Sequence, residues 1–288
     1  MTESNSGTFS GTLYVVATPI GNLDDLGPRA QRTLAEVALI AAEDTRHTAR
    51  LLNHLGLERP MISLHEHNEA RRVEQLVARL ESGDDVALVS DAGTPLIADP
   101  GFVLVRALRE RGHRVVPVPG PCALIAALSA AGLPTDRFLF AGFLPAKGGA
   151  RRARIGELAE RAETWLFYES PHRIHATLAD LQALLGERRI VIARELTKTF
   201  ETYLQGSAAT LLERLASDSN QARGEFVVMV AGAPPADTEG GWVEGATLLR
   251  ALLAEGVGVK QAAAVAAELL GGRKKAWYAR AMSLQADG

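Results

Sequence analysis

Apolar runs alternate with amphipathic segments over the first 120 positions of the chain. Runs at 11–17, 39–42, 85–90 and 114–118 are rich in valine, leucine, isoleucine and alanine, which predicts buried strands, and the segments between them have helical spacing. Runs that are apolar throughout are typical of parallel strands covered on both faces. We therefore expect an open, mostly parallel α/β sheet whose loops gather at the carboxyl ends of the strands, where such sheets bind ligands.

The pattern changes after residue 134. The following hundred residues contain closely spaced apolar runs, which predict a mixed α+β sheet, and a basic, glycine-containing loop at 145–154. Three helical segments separated by glycine turns then predict a small helix-turn-helix. We place a disordered lead-in at 1–11, an N-terminal α/β domain at 12–134, a C-terminal α/β domain at 135–233, a linker at 234–243 and the helix-turn-helix at 244–288.

Charge and composition narrow the functional classes. The 31 basic and 34 acidic residues give a net charge of −3, so any nucleic-acid contact must be local. The tail from residue 256 carries five basic and two acidic residues and is the cationic part of the chain. A single cysteine excludes a disulfide framework and fits a reducing compartment, so we expect a cytoplasmic protein. We find neither a signal peptide nor an apolar stretch of the roughly 20 residues that a membrane span needs.

Three loops follow predicted strands and carry turn residues: 18–23, 91–95 and 119–123. Each could be an ordinary βα turn. Glycine in the second loop would also let the backbone approach a ligand, while Asp91 and Thr94 offer hydrogen bonds. Convergence of all three loops at one sheet edge favours a binding site. The glycine patterns of dinucleotide-binding and P-loop proteins are absent.

Other polar segments allow more than one interpretation. The charged segments 43–46 and 193–201 are either solvated loops or sources of catalytic groups. The His65-Glu66-His67 segment lacks a distant third metal ligand, so we expect no metal and favour a substrate-facing loop over a helix cap. Cys122 is expected to pack rather than to act as a nucleophile. Trp277 and Tyr278 could stack on bases, although their helical spacing favours a core position.

Six ordered motifs resemble one known family. They are Val16-Ala-Thr-Pro-Ile-Gly-Asn-Leu23, Ala42-Glu-Asp-Thr-Arg46, Val89-Ser-Asp-Ala-Gly-Thr-Pro-Leu-Ile-Ala-Asp-Pro-Gly101, Pro117-Val-Pro-Gly-Pro121, Phe167-Tyr-Glu-Ser-Pro-His-Arg173 and Ala193-Arg-Glu-Leu-Thr-Lys198. Together they are similar to the small-subunit ribosomal RNA (cytidine-2′-O)-methyltransferase I family of the tetrapyrrole methylase superfamily. The resemblance implies a homodimer of two-domain α/β chains that bind S-adenosylmethionine in the cleft between domains. It also implies that the acceptor is a cytidine ribose in the decoding centre of 16S ribosomal RNA, either naked or in the small subunit.

The resemblance also assigns residues to the site. The expected cofactor contacts are Pro19, Ser90, Asp91, Gly93, Thr94, Ile97, Gly120, Pro121, Cys122, Ala123, Phe167, Tyr168 and Val228. For catalysis we expect Glu43, Glu169 or Glu195 to accept the proton of the 2′-hydroxyl, with Arg46, Arg194 and Lys198 holding phosphates or stabilising the alkoxide. Lys198 could itself be the base only if its pKa were lowered. The expected RNA contacts are His65, Asn68, Lys147, Arg151, Arg152, Arg173, Lys260, Arg273, Lys274 and Lys275.

Two alternatives belong to other functional classes. A porphyrinoid C-methyltransferase would use the same scaffold, but a small macrocycle gives no reason for a cationic tail. A non-enzymatic regulator could sense S-adenosylmethionine and bind nucleic acid through the helix-turn-helix. Methyl transfer by the protein would distinguish either methyltransferase from the non-enzymatic regulator.

Overall fold

The computed structural model describes residues 10–234 and 238–286. Nearly all of the lead-in at 1–11 and part of the linker at 234–243 therefore lie outside the described residues. Two compact units are present, residues 1–232 and residues 233–288, and each is described by itself.

The first half of the larger unit is built on a parallel sheet with strand order β3-β2-β4-β1-β5. Its helices lie on both faces: α1 and α2 cover one, and α3 and α4 cover the other. The elements are β1 (Thr12–Val16), α1 (Pro28–Glu36), β2 (Leu39–Ala42), α2 (Thr45–His54), β3 (Met61–Ser63), α3 (Glu69–Glu81), β4 (Val86–Val89), α4 (Phe102–Glu110), β5 (Arg114–Val118) and α5 (Ala123–Ala130). The predicted parallel α/β architecture is confirmed.

The second half contains a mixed sheet with strand order β6-β7-β10-β8-β9, in which only the β6–β7 pair is parallel. This confirms the predicted mixed sheet. The elements are β6 (Phe138–Phe143), α6 (Gly148–Ala159), β7 (Thr164–Glu169), α7 (Ile174–Leu185), β8 (Ile190–Arg194), β9 (Thr202–Gly206), α8 (Ala208–Ser217) and β10 (Phe226–Val230). Helices α6, α7 and α8 cover one face.

Helix α5 joins the two halves. Its buried residues Leu124, Ala127 and Leu128 pack against side chains of β7, β8 and β10, including Leu166 and Val227. The apolar face of α5 therefore lies on the second sheet, although α5 follows the last strand of the first sheet. This packing fixes the carboxyl edge of the first sheet against the second.

The smaller unit is a three-helix cluster of α9 (Thr238–Ala254), α10 (Val259–Leu270) and α11 (Lys274–Ala286). Its core includes Leu249, Ala263 and Trp277, and the Trp277 indole Nε1 donates to the Gly271 carbonyl at 2.6 Å. The prediction of a core position is confirmed for Trp277 but is wrong for Tyr278, which is exposed. Helix α9 begins inside the segment predicted to be a linker, so that boundary was placed too late.

One further element differs from the prediction. The segment 145–154 was expected to be a loop because of Pro145 and two adjacent glycines, but α6 begins at Gly148. The first turn of a helix tolerates glycine, and Arg151, Ile155 and Leu158 are its buried face. The helical spacing of these three buried residues favours a helix more strongly than the two adjacent glycines disfavour it.

Candidate active site

A cavity of about 490 Å³ opens between the two halves of the larger unit. The loops after β1, β2, β4 and β5 line it from one side, and the ends of β6, β7 and β10 with the loop after β8 line it from the other. Its volume lies within the range of about 300–1,000 Å³ that is usual for small-molecule sites. The predicted cofactor residues that line it are Asp91, Gly93, Thr94, Ile97, Cys122, Ala123 and Tyr168.

The three predicted strand-end loops do meet at this cavity. Thr18 and Gly93 exchange backbone hydrogen bonds of 2.8 and 3.0 Å, which tie the loop after β1 to the loop after β4. The Thr94 hydroxyl donates to the Pro121 carbonyl at 2.9 Å and ties in the third loop. The predicted convergence is therefore confirmed.

Five carboxylate residues line the cavity: Glu43, Asp91 and Asp99 on the side of the first sheet, and Glu169 and Glu225 on the side of the second. The Asp91 N–H donates to Glu43 Oε2 at 3.2 Å, and the Asp44 N–H donates to Asp91 Oδ1 at 3.0 Å. Burial raises the pKa of Glu43 above its usual value, and the nearby charge of Asp91 adds to the increase. Burial likewise raises the pKa of Asp99 to about 6, against a hydrogen bond from Ser90.

Aliphatic side chains line the cavity from both sides. Ile20 and Ile97 lie in the loops after β1 and β4, and Leu196 and Val227 lie on the side of the second sheet. The Tyr168 hydroxyl accepts a hydrogen bond from the Leu124 N–H at 3.2 Å, and burial raises its pKa, so the phenol stays protonated. The cavity thus combines carboxylates with apolar side chains, an arrangement that suits a ligand with both polar and apolar parts.

Backbone strain is concentrated in two loops at the cavity. Leu96 and Ala98 in the loop after β4, and Glu195 and Thr197 in the loop after β8, have φ between 50° and 72°. Non-glycine residues in this region cost about 1–3 kcal/mol and persist where the surroundings enforce them, often at functional sites. The strain therefore marks the same two loops as the cavity lining does.

The loop after β8 also packs against the loop after β1. A Cβ added at Gly21 would lie 2.5 Å from Lys198 Cγ and 2.9 Å from the Leu196 carbonyl oxygen. Lys198 itself donates to Glu195 at 2.9 Å and to Glu225 at 3.1 Å. Burial would lower the Lys198 pKa, but these two carboxylates outweigh it and the pKa is raised. The hypothesis that Lys198 is the base required a lowered pKa and is wrong.

Two of the other predicted catalytic groups have structural partners. The buried Glu169 carboxylate accepts from the Thr177 hydroxyl at 2.7 Å and from the Ser170 N–H at 2.8 Å, and Arg173 pairs with it at 3.2 Å. Arg194 is buried, and its guanidinium donates to the carbonyl oxygens of Arg223 and Phe200, at 3.1 and 3.4 Å. Arg194 is thus enclosed by loop carbonyls, and the structure does not place it where it could hold a phosphate.

Glu195 is the third carboxylate considered as the base. Burial favours its neutral form, but hydrogen bonds from Lys198 and from the Glu225 N–H outweigh burial and lower its pKa. Glu195 is therefore held as the anion in a pair with Lys198. Such pairing makes it a weak proton acceptor.

Several side chains that were expected to contact RNA already have ion-pair or hydrogen-bond partners within the protein. The buried Arg151 side chain pairs with Asp180 at 2.7 Å, and Arg152 approaches the same carboxylate at 3.3 Å. Arg173 donates to the Leu144 carbonyl at 2.5 Å. The buried Asn68 amide accepts from the His65 N–H at 2.9 Å and lies at the N-cap of α3. Arg151, Arg173 and Asn68 therefore support local structure, and the preference for a substrate-facing loop over a helix cap at 65–68 does not hold for Asn68.

The remaining predicted RNA contacts differ in how open they are to solvent. In the larger unit, Lys147 is exposed and His65 is half-buried beside Asn68, with 3.0 Å between their side-chain nitrogens. Arg46 is exposed and forms a 2.6 Å ion pair with Asp44. The four predicted contacts in the smaller unit are all exposed: Lys260, Arg273, Lys274 and Lys275.

Some predicted cofactor residues lie elsewhere. Phe167 and Val228 are buried among the side chains on the opposite face of the second sheet, so their side chains do not reach the cavity. Their neighbours Tyr168 and Val227 line it instead. Pro19 and Ser90 line a smaller cavity of about 120 Å³ that shares Asp91 with the main one. Gly120 and Pro121 lie in the loop after β5 but do not line the main cavity.

The sequence missed several lining residues. Asp99 belongs to a Pro-Gly turn, a pattern that indicates only a change of direction, yet its carboxyl group faces the cavity. The sequence offered a partial signal because Asp99 lies inside the longest of the six motifs. The other lining residues that the sequence did not identify include Ile20, Phe143 and Leu196.

Within residues 10–234 and 238–286, no three histidine, cysteine, aspartate or glutamate side chains are grouped so that they could hold a metal ion. Among the described helices, none has the length and apolar character needed to cross a membrane.

Comparisons with known proteins agree with this architecture. Residues 12–212 match the family described as tetrapyrrole (corrin/porphyrin) methylases, and residues 239–285 match the RsmI C-terminal HTH domain. Among solved structures, the methyltransferase CobJ is similar with a TM-score of 0.58 at 22% identity, covering 78% of this chain and 95% of that one. Cobalt precorrin-4 methyltransferase CbiF has a TM-score of 0.57 at 15% identity, over 76% and 94% of the two chains. These two likenesses show the fold alone.

Curated relatives are much closer in sequence. The ribosomal RNA small subunit methyltransferase I of Pseudomonas aeruginosa is 57% identical over 278 residues, covering 96% of this chain and 98% of the relative. That of Haemophilus influenzae is 52% identical over 271 residues, covering 94% and 96%. The chain therefore belongs to the ribosomal RNA small subunit methyltransferase I family of the tetrapyrrole methylases.

Proposed function

We propose that this chain transfers a methyl group from S-adenosylmethionine to the ribose 2′-oxygen of a cytidine in the decoding centre of small-subunit ribosomal RNA. The observation that carries the proposal is the cavity between the two α/β halves, whose lining combines carboxylates such as Glu43, Asp91 and Asp99 with apolar side chains. The names of the curated relatives supply the substrate class, ribosomal RNA of the small subunit.

The residues of the cavity fit S-adenosylmethionine. The apolar side chains among them, such as Ile97 and Val227, suit the adenine ring, while the carboxylates can accept hydrogen bonds from ribose hydroxyls and the ammonium group. The same negative groups favour a positively charged sulfonium nearby. Thr94, Ala123 and Tyr168 complete the set of residues that would hold it. When bound, the cofactor supplies an electrophilic methyl group on its sulfur.

Glu43 is the proton acceptor that the site favours among the three glutamates considered. It lines the cavity, and burial raises its pKa, which makes it a better base than an ordinary carboxylate. Glu169 is occupied by Thr177, Ser170 and Arg173, and Glu195 is paired with Lys198. The remaining task of the protein is to hold the 2′-oxygen in line with the methyl group and to exclude water.

RNA affinity in this account comes from exposed cations. Lys147 and Arg46 are exposed in the larger unit, and Lys260, Arg273, Lys274 and Lys275 are exposed in the smaller one. Such side chains bind phosphates and give affinity with strong salt dependence rather than sequence choice. The proposal includes a homodimer that works in the cytoplasm on ribosomal RNA or an assembled small subunit.

One labelling experiment tests the proposal against its alternatives. The protein is incubated with methyl-labelled S-adenosylmethionine and small ribosomal subunits that lack the modification, and the RNA is then digested with alkali. A methylated 2′-oxygen cannot attack the neighbouring phosphate, so label is expected in an alkali-resistant dinucleotide. Label in mononucleotides would indicate base methylation. No label in RNA would favour the porphyrinoid methylase, or the regulator if cofactor binding is retained.

A further inference from the structure

We propose that the ring of Phe143 is the stacking surface for the base of the nucleotide whose ribose is methylated. This inference rests on the proposed function. Phe143 lines the main cavity, yet 56% of its surface is exposed. The ring is therefore only partly buried in the free protein, and a base stacked on it would cover more of its apolar surface.

A β-bulge turns Phe143 toward the cavity. The pairing of β6 with β7 shifts register between Phe140 and Phe143, and Gly142 in the bulge has φ of +65°. In a regular strand, residues 140 and 143 would point to opposite faces. Here the rings of both contact Tyr168, with centroids 4.9 and 5.7 Å away. Bulges near functional sites often redirect a side chain in this way.

The ring is also held before any ligand arrives. It meets Tyr168 edge to face at an interplanar angle of 63°, and the Tyr168 hydroxyl is in turn bonded to the Leu124 N–H. Edge-to-face contact leaves much of the ring surface open. A fixed ring with open surface offers a planar partner at little entropic cost.

The RNA base is the occupant that this geometry favours over the adenine of the methyl donor. Bringing a 2′-hydroxyl to a cavity requires the acceptor nucleotide to leave its stack, and extruded bases are commonly stacked on aromatic side chains. The acceptor enters from solvent, where Phe143 is exposed. The aliphatic side chains of Ile97, Leu196 and Val227 offer the donor an apolar surface of their own.

The test measures steady-state methylation of unmodified small subunits by F143L, F143W and the matched control F138L. Phe138 is an exposed phenylalanine at the other end of β6, and it does not line the cavity. Stacking of one base on an aromatic side chain strengthens binding by a factor of about 10 or more. We expect F143L to raise the KM for subunits about tenfold, F143W to retain wild-type KM, and F138L to change it less than twofold. Calorimetric titration should show unchanged affinity for S-adenosylmethionine in all three.

Two results would overturn the inference. One is a KM for subunits in F143L equal to that of F138L. The other is weakened S-adenosylmethionine binding in F143L with an unchanged KM for subunits, which would place the donor's adenine on the ring. Failure of the proposed function gives a different result, because the wild-type protein itself would then leave the RNA unlabelled, and the inference would fall with it.

Discussion

Replacing Asp99 with asparagine should make the protein more stable at neutral pH. Asp99 lies in the cavity beside Glu43 and Asp91, and burial raises its pKa from 3.8 to about 6. A raised pKa in the folded state means that stability is fully present below pH 3.8 and is lost as the pH rises through about 6. Above that pH, the folded protein must hold a poorly solvated carboxylate that the unfolded chain exposes to water.

The size of the effect follows from the pKa. Each pKa unit corresponds to about 1.36 kcal/mol, so a fully buried group would account for about 3 kcal/mol. Asp99 is only half-buried, and solvent screening reduces the expected gain to about 1–2 kcal/mol. The asparagine oxygen can still accept the hydrogen bond from Ser90, so the gain is not offset by a lost contact.

Urea unfolding of D99N and wild type, without methyl donor, measures this difference. We expect D99N to be more stable by about 1–2 kcal/mol at pH 7.5, and by about half that amount at pH 5. Asp136→Asn, at an exposed carboxylate, serves as the control and should change stability by less than about 0.5 kcal/mol. Equal stability of D99N and wild type at pH 7.5 would refute the reasoning.

Two further predictions concern the base and the buried ion pair. Glu43→Gln keeps an acceptor for the Asp91 N–H but removes the proton acceptor. We therefore expect kcat to fall about 100-fold or more, and the fall of kcat at low pH to disappear from the pH profile. A kcat within about threefold of wild type would contradict the assignment. Arg151→Met leaves Asp180 with only the partly exposed Arg152, so urea unfolding should show a loss of about 3–5 kcal/mol; undiminished stability with weakened RNA binding would instead make Arg151 an RNA contact.

Much of the larger unit could be predicted from the sequence, because its strongest strands are continuous apolar runs. β2 and β5 have the predicted bounds. β2 is apolar and buried throughout, whereas β5 is indicated by its valines although Arg114 and Pro117 are exposed. β3 was missed because it has only three half-buried residues, Met61–Ser63. A run of three residues shows no periodicity in the sequence. It forms a strand because it pairs with β2.

The site was harder to predict residue by residue. In β7 and β10 both faces are buried, so the sequence does not show which residues of an alternating pair face the cavity. The prediction included Phe167 beside Tyr168 in β7, and Val228 in β10, whereas Tyr168 and Val227 line the cavity. The predictions that buried arginines contact RNA failed for a different reason. Whether an arginine is free depends on a partner distant in sequence, as Arg151 depends on Asp180, 29 residues away.

The central claim is that the methyl group is placed on the 2′-oxygen of a cytidine in the decoding centre. Its most direct test is to incubate unmodified small subunits with the protein and S-adenosylmethionine. The decoding-centre RNA is then isolated by protection with complementary DNA, and its nucleosides are analysed by mass spectrometry. The account predicts that 2′-O-methylcytidine appears in this fragment with wild-type protein and is strongly reduced with Glu43→Gln. A methyl group found only on a base, or only outside this fragment, would contradict it.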